Sequence, residues 1–594
     1  MNRTVSQKKC IQQLLFYVKP YGFKLILALA MVVVSNLALA LNPTIEGKIT
    51  TQLAKDAEAI MKNVPGAHVH FDIVFQIMAL LGTMYVIKTT SQLLTAYFLT
   101  DAIQQTMHDI RNALQVKIQK LPIKYFDDHA FGDVLSCVTN DVDTLSNALQ
   151  QTLTRVFAAI LTVIFVIIMM LRINVVMTIV AMIIIPMSIV ITKTFVKKSQ
   201  KLFDIQQKTV GEMNGTITEL YTGFNEIQLF NKQDDSVEKF EEVNNNMCKA
   251  AYKAQFVSSL ISPCVSFVTY ITIGTVSVIG CMFVISGAIS VGSLQAFIRY
   301  IWQINDPLSQ VSQLSAQVQS AFSAMGRIFT LLNEEEEDQG GSIGIDGNHI
   351  KGNVTFEHVQ FGYTNDLLMK DVNFEVKSGQ MVAIVGPTGA GKTTLMNLLL
   401  RFYDVKGGSI KIDGIDIKDM NRNELRKLFS LVLQDTWLFK GSIYDNIRYG
   451  RLNARKDEVI DAAKMANVHH FIRTLTKGYD FPINEEANNI SQGEKQLLTI
   501  ARAILKNPHI LILDEATSSV DTRLERMLQD AMKKVMEGRT SFVIAHRLST
   551  IKNADLILVL KDGDIIEQGT HESLLAKKGE YEKLYNSQFA NNNE

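Results

Sequence analysis

Up to about residue 330, apolar stretches near the length of a bilayer-crossing helix recur at 23–41, 73–94, 156–171, 175–196, 256–285 and 291–308. Six crossings return a chain to the side on which it started. The third and fourth are parted only by Arg172-Ile-Asn174, which predicts a tight turn at the outer surface. The flanking segments 101–121 and 197–253 are polar yet keep a helical period, so the spans are expected to run on as long helices beyond the membrane. Residues 12–21 read as a helix lying along the inner interface, or as an ordinary helix start. Pro307 is expected to disturb the last span, because it removes a backbone donor and crowds the preceding turn.

Beyond residue 333 the pattern changes. The run Glu334-Glu-Glu-Glu-Asp-Gln-Gly-Gly341 breaks the helix with charge and glycine. Short apolar runs then alternate with amphipathic segments, as in an α/β domain. The expected organisation is an inner-face segment 1–20, a six-helix membrane domain 21–332, a linker 333–345 and an α/β domain 346–594.

Composition agrees with this division. Hydrophobic residues make up 47% and the mean hydropathy is +0.11, an excess that must lie in the first part, since the second reads as soluble. A wholly soluble protein is thereby excluded. The start, Met1-Asn-Arg-Thr-Val-Ser-Gln-Lys-Lys9, is basic and the long polar segments are Lys-rich. The N-terminus and the α/β domain are therefore expected in the cytoplasm, with no cleavable leader. Equal counts of Lys+Arg and Asp+Glu, 59 each, give no nucleic-acid signal. Five cysteines without metal-ligand spacing are expected to be reduced.

The chemistry lies in the second half. Gly386-Pro-Thr-Gly-Ala-Gly-Lys-Thr-Thr394 fits G-x-x-x-x-G-K-[ST], with the apolar run 381–385 before it and a helical pattern after it. Gly386, Pro387, Thr388, Gly389, Ala390 and Gly391 would curl their N–H groups toward phosphates, and the helix start adds its positive end. Lys392 would reach the β- and γ-phosphates, with Thr393 on Mg²⁺ and Thr394 beside it. A second buried-strand pattern, 509–514, ends in Asp514, placed to hold Mg²⁺, and Glu515, placed to act on water as general base. Ser491-Gln492-Gly493 opens an amphipathic helix whose N-terminus suits an anion.

At these residues the chain resembles the ATP-binding cassette family, across its whole C-terminal half. The resemblance implies adenine stacking on Tyr363, Mg²⁺ and water sensing by Gln434, a D-loop at Ser518-Ser-Val-Asp521, and a switch histidine at His546. In that family the Ser491 segment contacts ATP on the opposite cassette, so a chain with one cassette implies a dimer. The membrane half resembles the exporter branch, with coupling segments near 121–143 and 216–232. The implied protein is a multi-pass transporter of the cell membrane, of bacterial type. With ATP and Mg²⁺ it would expel a small hydrophobic, amphipathic or lipid substrate, such as a drug; a lipid flippase or peptide exporter is the alternative reading, and a regulatory protein of the family with no transported substrate a further one.

This chain also departs from the family pattern. The signature reads Ile-Ser-Gln-Gly-Glu where Leu-Ser-Gly-Gly-Gln is commonest, and 484–489 lacks the usual glycine-rich sequence. Gln492 and Glu494 are expected to weaken the site this signature serves, while Glu515 and His546 are intact. That asymmetry favours a heterodimer with a related half-transporter over a homodimer. In the spans, Lys88, Arg299 and Asp306 are candidates for the transport path, with a Lys88–Asp306 ion pair as the structural reading.

Overall fold

The computed structural model describes residues 7–341, 343, 350–433, 436–514, 522–545 and 548–588, with helix backbone alone at 7, 153, 306, 308–316, 522, 549 and 588. Gln434, Glu515, Asp521 and His546, and the side chain of Asp306, lie outside the described residues. Two compact units appear. One comprises residues up to Lys120 together with His129–Glu335; the other comprises Leu121–Asp128 and the chain from Glu336.

The first unit is helical: α1 (Gln7–Val18), α2 (Gly22–Met61), α3 (Phe71–Lys120) and, after a short α4 (Ile123–Asp128) that belongs to the other unit, α5 (Phe131–Ile173). There follow α6 (Val175–Thr222), α7 (Phe224–Leu229), α8 (Gln233–Ile285) and α9 (Val291–Leu332). Among the described residues, five runs, the one ending in α2 together with α3, α5, α6 and α8, are long and apolar enough to cross a membrane. The sixth long helix, α9, covers the last expected span but interleaves its apolar residues with Arg299, Gln303 and Asn305. Its backbone continues through Pro307, as that of α2 continues through Pro43, a proline the apolar pattern had hidden. Neighbouring helices can supply partners for the groups a proline frees.

The expected tight turn is a single residue. Asn174 is extended, and its side chain accepts a hydrogen bond from Met177 N, which caps α6. Val166 and Met170 of α5, Met177 and Ala181 of α6, Val276 of α8, and Phe297 and Tyr300 of α9 form a buried core. Two polar pairs tie the helices within the unit: Tyr300 Oη donates to Ala40 O and Thr162 Oγ1 to Asn36 Oδ1, both at 2.7 Å. Gly47 of α2 and Gly292 of α9 meet backbone to backbone, so a Cβ on either would overlap the other's carbonyl.

The second unit holds twelve strands among the described residues: β1 (Val354–Phe361), β2 (Met369–Val376), β3 (Met381–Val385), β4 (Gly407–Ile412), β5 (Ile415–Asp416), β6 (Phe429–Val432), β7 (Gly441–Ser442), β8 (Pro482–Ile483), β9 (Ile510–Asp514), β10 (Thr540–Ile544), β11 (Leu556–Lys561) and β12 (Asp564–Gly569). The main sheet runs β12-β11-β3-β10-β9-β6, parallel except for β12 at its edge. A parallel sheet is covered on both faces, which is why these strands read as continuous apolar runs. Ala383, Leu511, Leu513 and Val543 enter one core; Val382, Ile384, Ile512 and Phe542, one residue out of phase, enter the other. An antiparallel sheet, β2-β1-β4-β5, adjoins the second core through Phe356 and Phe374.

Candidate nucleotide site

Strand β3 leads into the glycine loop, and the loop ends at helix α10 (Lys392–Leu399), which starts two residues earlier than its apolar pattern suggests. Gly389 and Gly391 have φ of +84° and +98°, angles that side chains with a Cβ rarely adopt. The backbone thereby bends back on itself and leaves the α10 N-terminus facing the loop's concave side. Lys392 Nζ donates to Gly386 O at 2.8 Å and Pro387 O at 3.0 Å, which holds the ammonium within the loop. Burial pulls the Lys392 pKa below its ordinary value, and the nearby Asp514 carboxylate acts in the opposite direction.

Sheet register explains why Asp514 is near. Ile544 of β10 pairs with Ile384 of β3 on one side and with Asp514 of β9 on the other. The C-terminal ends of three parallel strands therefore carry the loop, the acid and Ala545 side by side, the usual place for a ligand in such sheets. A hydroxyl at the helix start and a carboxylate at a strand end supply the oxygen donors that a hard divalent cation prefers, so Thr393 and Asp514 fit Mg²⁺.

The loop opens on a cavity of about 610 Å³, including its mouth, lined by Gly386, Thr388, Lys392, Ala545, Tyr581 and Tyr585 among others. The last two come from the C-terminal helix, Glu580–Gln588, which carries no motif and was not legible as part of the site. Tyr363 stands half exposed, its hydroxyl 3.1 Å from Thr394 Oγ1. Its ring lies edge-on to Phe361 and Tyr403, with centroids 5.0 and 5.1 Å away.

The signature segment caps a separate helix, α11 (Gln492–Lys506). Ser491 Oγ donates to Glu494 Oε2 at 2.6 Å and Ser491 N donates to the same oxygen at 3.0 Å, so the side chain at the helix start is bonded to the chain's own carboxylate. Preceding it, Asn489 Nδ2 donates to Pro482 O at 2.9 Å, and Ala487 has a left-handed φ of 51°.

In the helical unit, two of the candidate charges of the spans have neighbours of their own. Lys88 Nζ lies 5.8 Å from the Tyr85 ring, and Arg299 Nε is 3.8 Å from Glu46 Oε2, a partner the sequence had not suggested.

Residues 25–308 match the family described as ABC transporter transmembrane region, and residues 369–518 match the one described as ABC transporter. The chain is 42% identical over 525 residues to a fatty acid ABC transporter ATP-binding/permease protein of Mycobacterium bovis, covering 88% of this chain and 83% of that protein. It is 34% identical over 506 residues to an ATP-dependent lipid A-core flippase of Syntrophus aciditrophicus, covering 85% and 84%. A bacterial Atm1-family ABC exporter solved with ATP bound superposes with a TM-score of 0.76 at 26% identity, covering 96% of this chain and 99% of that one.

Proposed function

From the premise that this chain belongs to the ATP-binding cassette transporters, as a membrane exporter that hydrolyses ATP to expel hydrophobic substrates, we propose that it moves anionic amphiphiles as one half of a heterodimer. The observation that carries the substrate class is a cleft of about 950 Å³, including open space, between α2, α3 and α5. Val32, Leu99 and Ala158 give it apolar walls, Asn36 and Gln92 give it amide groups, and Arg155 gives it a cation at the start of the apolar part of α5. Such a lining suits an acyl chain ending in a carboxylate or phosphate, and a guanidinium binds either group in a fork. The fatty acid relative supports the same class.

The working cycle is the one the family resemblance implies. With the cavity open inward, substrate enters between the membrane halves; ATP draws the two cassettes together and the cavity turns outward. Lys392 and the loop N–H groups hold the phosphates, Tyr363 takes the base, and Thr393, Asp514 and Gln434 would hold Mg²⁺, which neutralises charge on the transferring phosphoryl. Glu515 accepts the proton of the attacking water, and His546 contacts the γ-phosphate.

The preference for a heterodimer rests on Ser491, whose hydroxyl is engaged by Glu494, and on the bulk of Gln492. A partner with an unmodified signature would complete the site around Lys392 and Glu515. Inside-out vesicles carrying the chain with its partner should accumulate labelled oleate on addition of ATP, and Arg155→Ala should abolish that uptake. Equal uptake by Arg155→Ala, or uptake of ethidium alone, would overturn the substrate class. Brisk substrate-stimulated ATP hydrolysis by the chain expressed alone would overturn the heterodimer.

A further inference from the structure

The segment Leu121–Asp128 lies, in sequence, inside the membrane half, yet it packs as part of the cassette unit. Its helix α4 leaves α3 after a break at Leu121-Pro122, and the hydroxyl of Tyr403 donates to the carboxylate of Asp127 within it. Tyr403 follows α10 in Arg401-Phe-Tyr-Asp404, so one short helix joins it to the phosphate loop. Its ring lies perpendicular to that of Tyr363, at 89° with centroids 5.1 Å apart, and at 60° to the buried Phe361, 5.6 Å away.

The three rings form a closed edge-to-face cluster. Each contact favours one relative orientation, so turning one ring costs energy at the other two. The Tyr363 hydroxyl is tied at the opposite end to Thr394 Oγ1 on α10. Burial first, and the Asp127 hydrogen bond next, push the Tyr403 phenol well above its ordinary range, so it remains a donor throughout the physiological pH range.

We propose that Tyr403 is a positioning residue that carries the presence of a base on Tyr363 to Asp127 of α4, so that the membrane half responds to a bound nucleotide base as well as to phosphate. The proposal rests on the reading of Tyr363 as the base-stacking residue. A base lying on Tyr363 fixes the plane of that ring; the perpendicular contact then fixes Tyr403, and the phenol holds Asp127 in one place. With triphosphate but no well-stacked base, only the ring contacts and the Thr394 hydrogen bond hold Tyr363, and the link is looser while the phosphate loop stays occupied. A contact that only glued α4 to the cassette would be indifferent to the base.

The full-length chain with its partner, in proteoliposomes, provides the test. Tyr403→Phe removes only the hydroxyl; TNP-ATP affinity and basal ATP hydrolysis should stay within about twofold of the parent, while oleate transported per ATP hydrolysed falls roughly fivefold, the scale of one lost hydrogen bond. The parent should show more transport per nucleotide hydrolysed with ATP than with CTP, whose smaller base stacks less well, and Tyr403→Phe should lose that difference. Asp127→Asn, whose amide oxygen still accepts, should stay near the parent, whereas Asp127→Ala should behave like Tyr403→Phe. Nucleotide-dependent tryptic protection of the membrane half supplies a readout without substrate: ATP should protect the parent more than CTP does, and protect Tyr403→Phe no better than CTP. Unchanged transport per ATP in Tyr403→Phe, or equal protection of parent and variant by ATP, would overturn the relay. Failure of the parent to move oleate while its ATP protection persists would instead count against the transported class and leave the relay to be judged on protection.

Discussion

The Glu337 carboxylate takes two nitrogens of Arg426, at 2.6 and 2.7 Å, and lies 3.5 Å from Arg422. The acid that follows the last long helix is thus held in a nearly buried, forked pair on the cassette. Replacing Glu337 with Ala would leave the partly exposed Arg426 without its counter-charge, while Arg422 keeps Asp404, at a cost of about 1–3 kcal/mol. Thermal unfolding of the purified protein followed by tryptophan fluorescence should show a lower cassette transition, and Glu337→Asp should recover part of it.

Ser491 and Glu494 set the second expectation. Changing Glu494 to Gln keeps a side chain of the same shape and removes a negative charge from the positive end of α11. A charge at such a helix end is worth about 0.3–1 kcal/mol, so nucleotide should bind about two- to fivefold more tightly at the site this signature serves. Equilibrium binding of a fluorescent ATP analogue to the assembled dimer measures it, and weaker binding would contradict the role given to Glu494.

Hydrolysis and binding should separate at Glu515. Glu515→Gln should lower ATP turnover by about 10²–10⁴-fold, the usual worth of a general base, while ATP affinity is kept. Lys392→Ala should lose affinity as well, because the ammonium that faces the phosphates is gone. Parallel measurements of turnover and binding on both variants with the natural partner check the assignment.

Acid should loosen the cassette at Asp413. Burial alone would raise the pKa of this carboxyl, yet it accepts hydrogen bonds from Gly352 N at 3.1 Å, Asn353 N at 2.9 Å and Lys351 N at 2.8 Å, and they hold the pKa below the ordinary value. A depressed folded pKa contributes stability that is present above the unfolded value, about 3.9, and is lost as pH falls through the lowered folded value. The melting temperature should therefore drop below about pH 4. In Asp413→Ala that drop should shrink, with about 1–3 kcal/mol already lost at neutral pH.

The phosphate loop was legible because its chemistry is local: glycines, a lysine and a threonine at fixed spacing, flanked by a strand and a helix that the apolar pattern announces. The long helices were legible for the same reason, since period and length are properties of neighbouring residues. The turn at Asn174 showed through because it separates two apolar runs. What stayed hidden depends on residues far apart in the chain. Nothing in Tyr-Phe-Asp-Asp128 indicates that Asp127 meets Tyr403, nor does Glu46 announce Arg299. Tyr581 and Tyr585 reach the phosphate cavity only because the last helix folds back over the sheet end, and aromatic residues in a tail carry no signal of that. That α9 buries Phe297 and Tyr300 in a core shared with α5, α6 and α8 was hidden too, since the contact joins distant stretches of the chain.

The glycine crossing of α2 and α9 decides where the membrane half can bend. Two rods whose main chains touch act at that point as a single beam, and neither slides lengthwise without driving one carbonyl into the other. An opening movement must leave this junction clamped and flex elsewhere along the pair. Each rod carries an imino acid away from the clamp, Pro43 one turn from it and Pro307 several turns from it, where the lost amide bond has already made the backbone easier to deform.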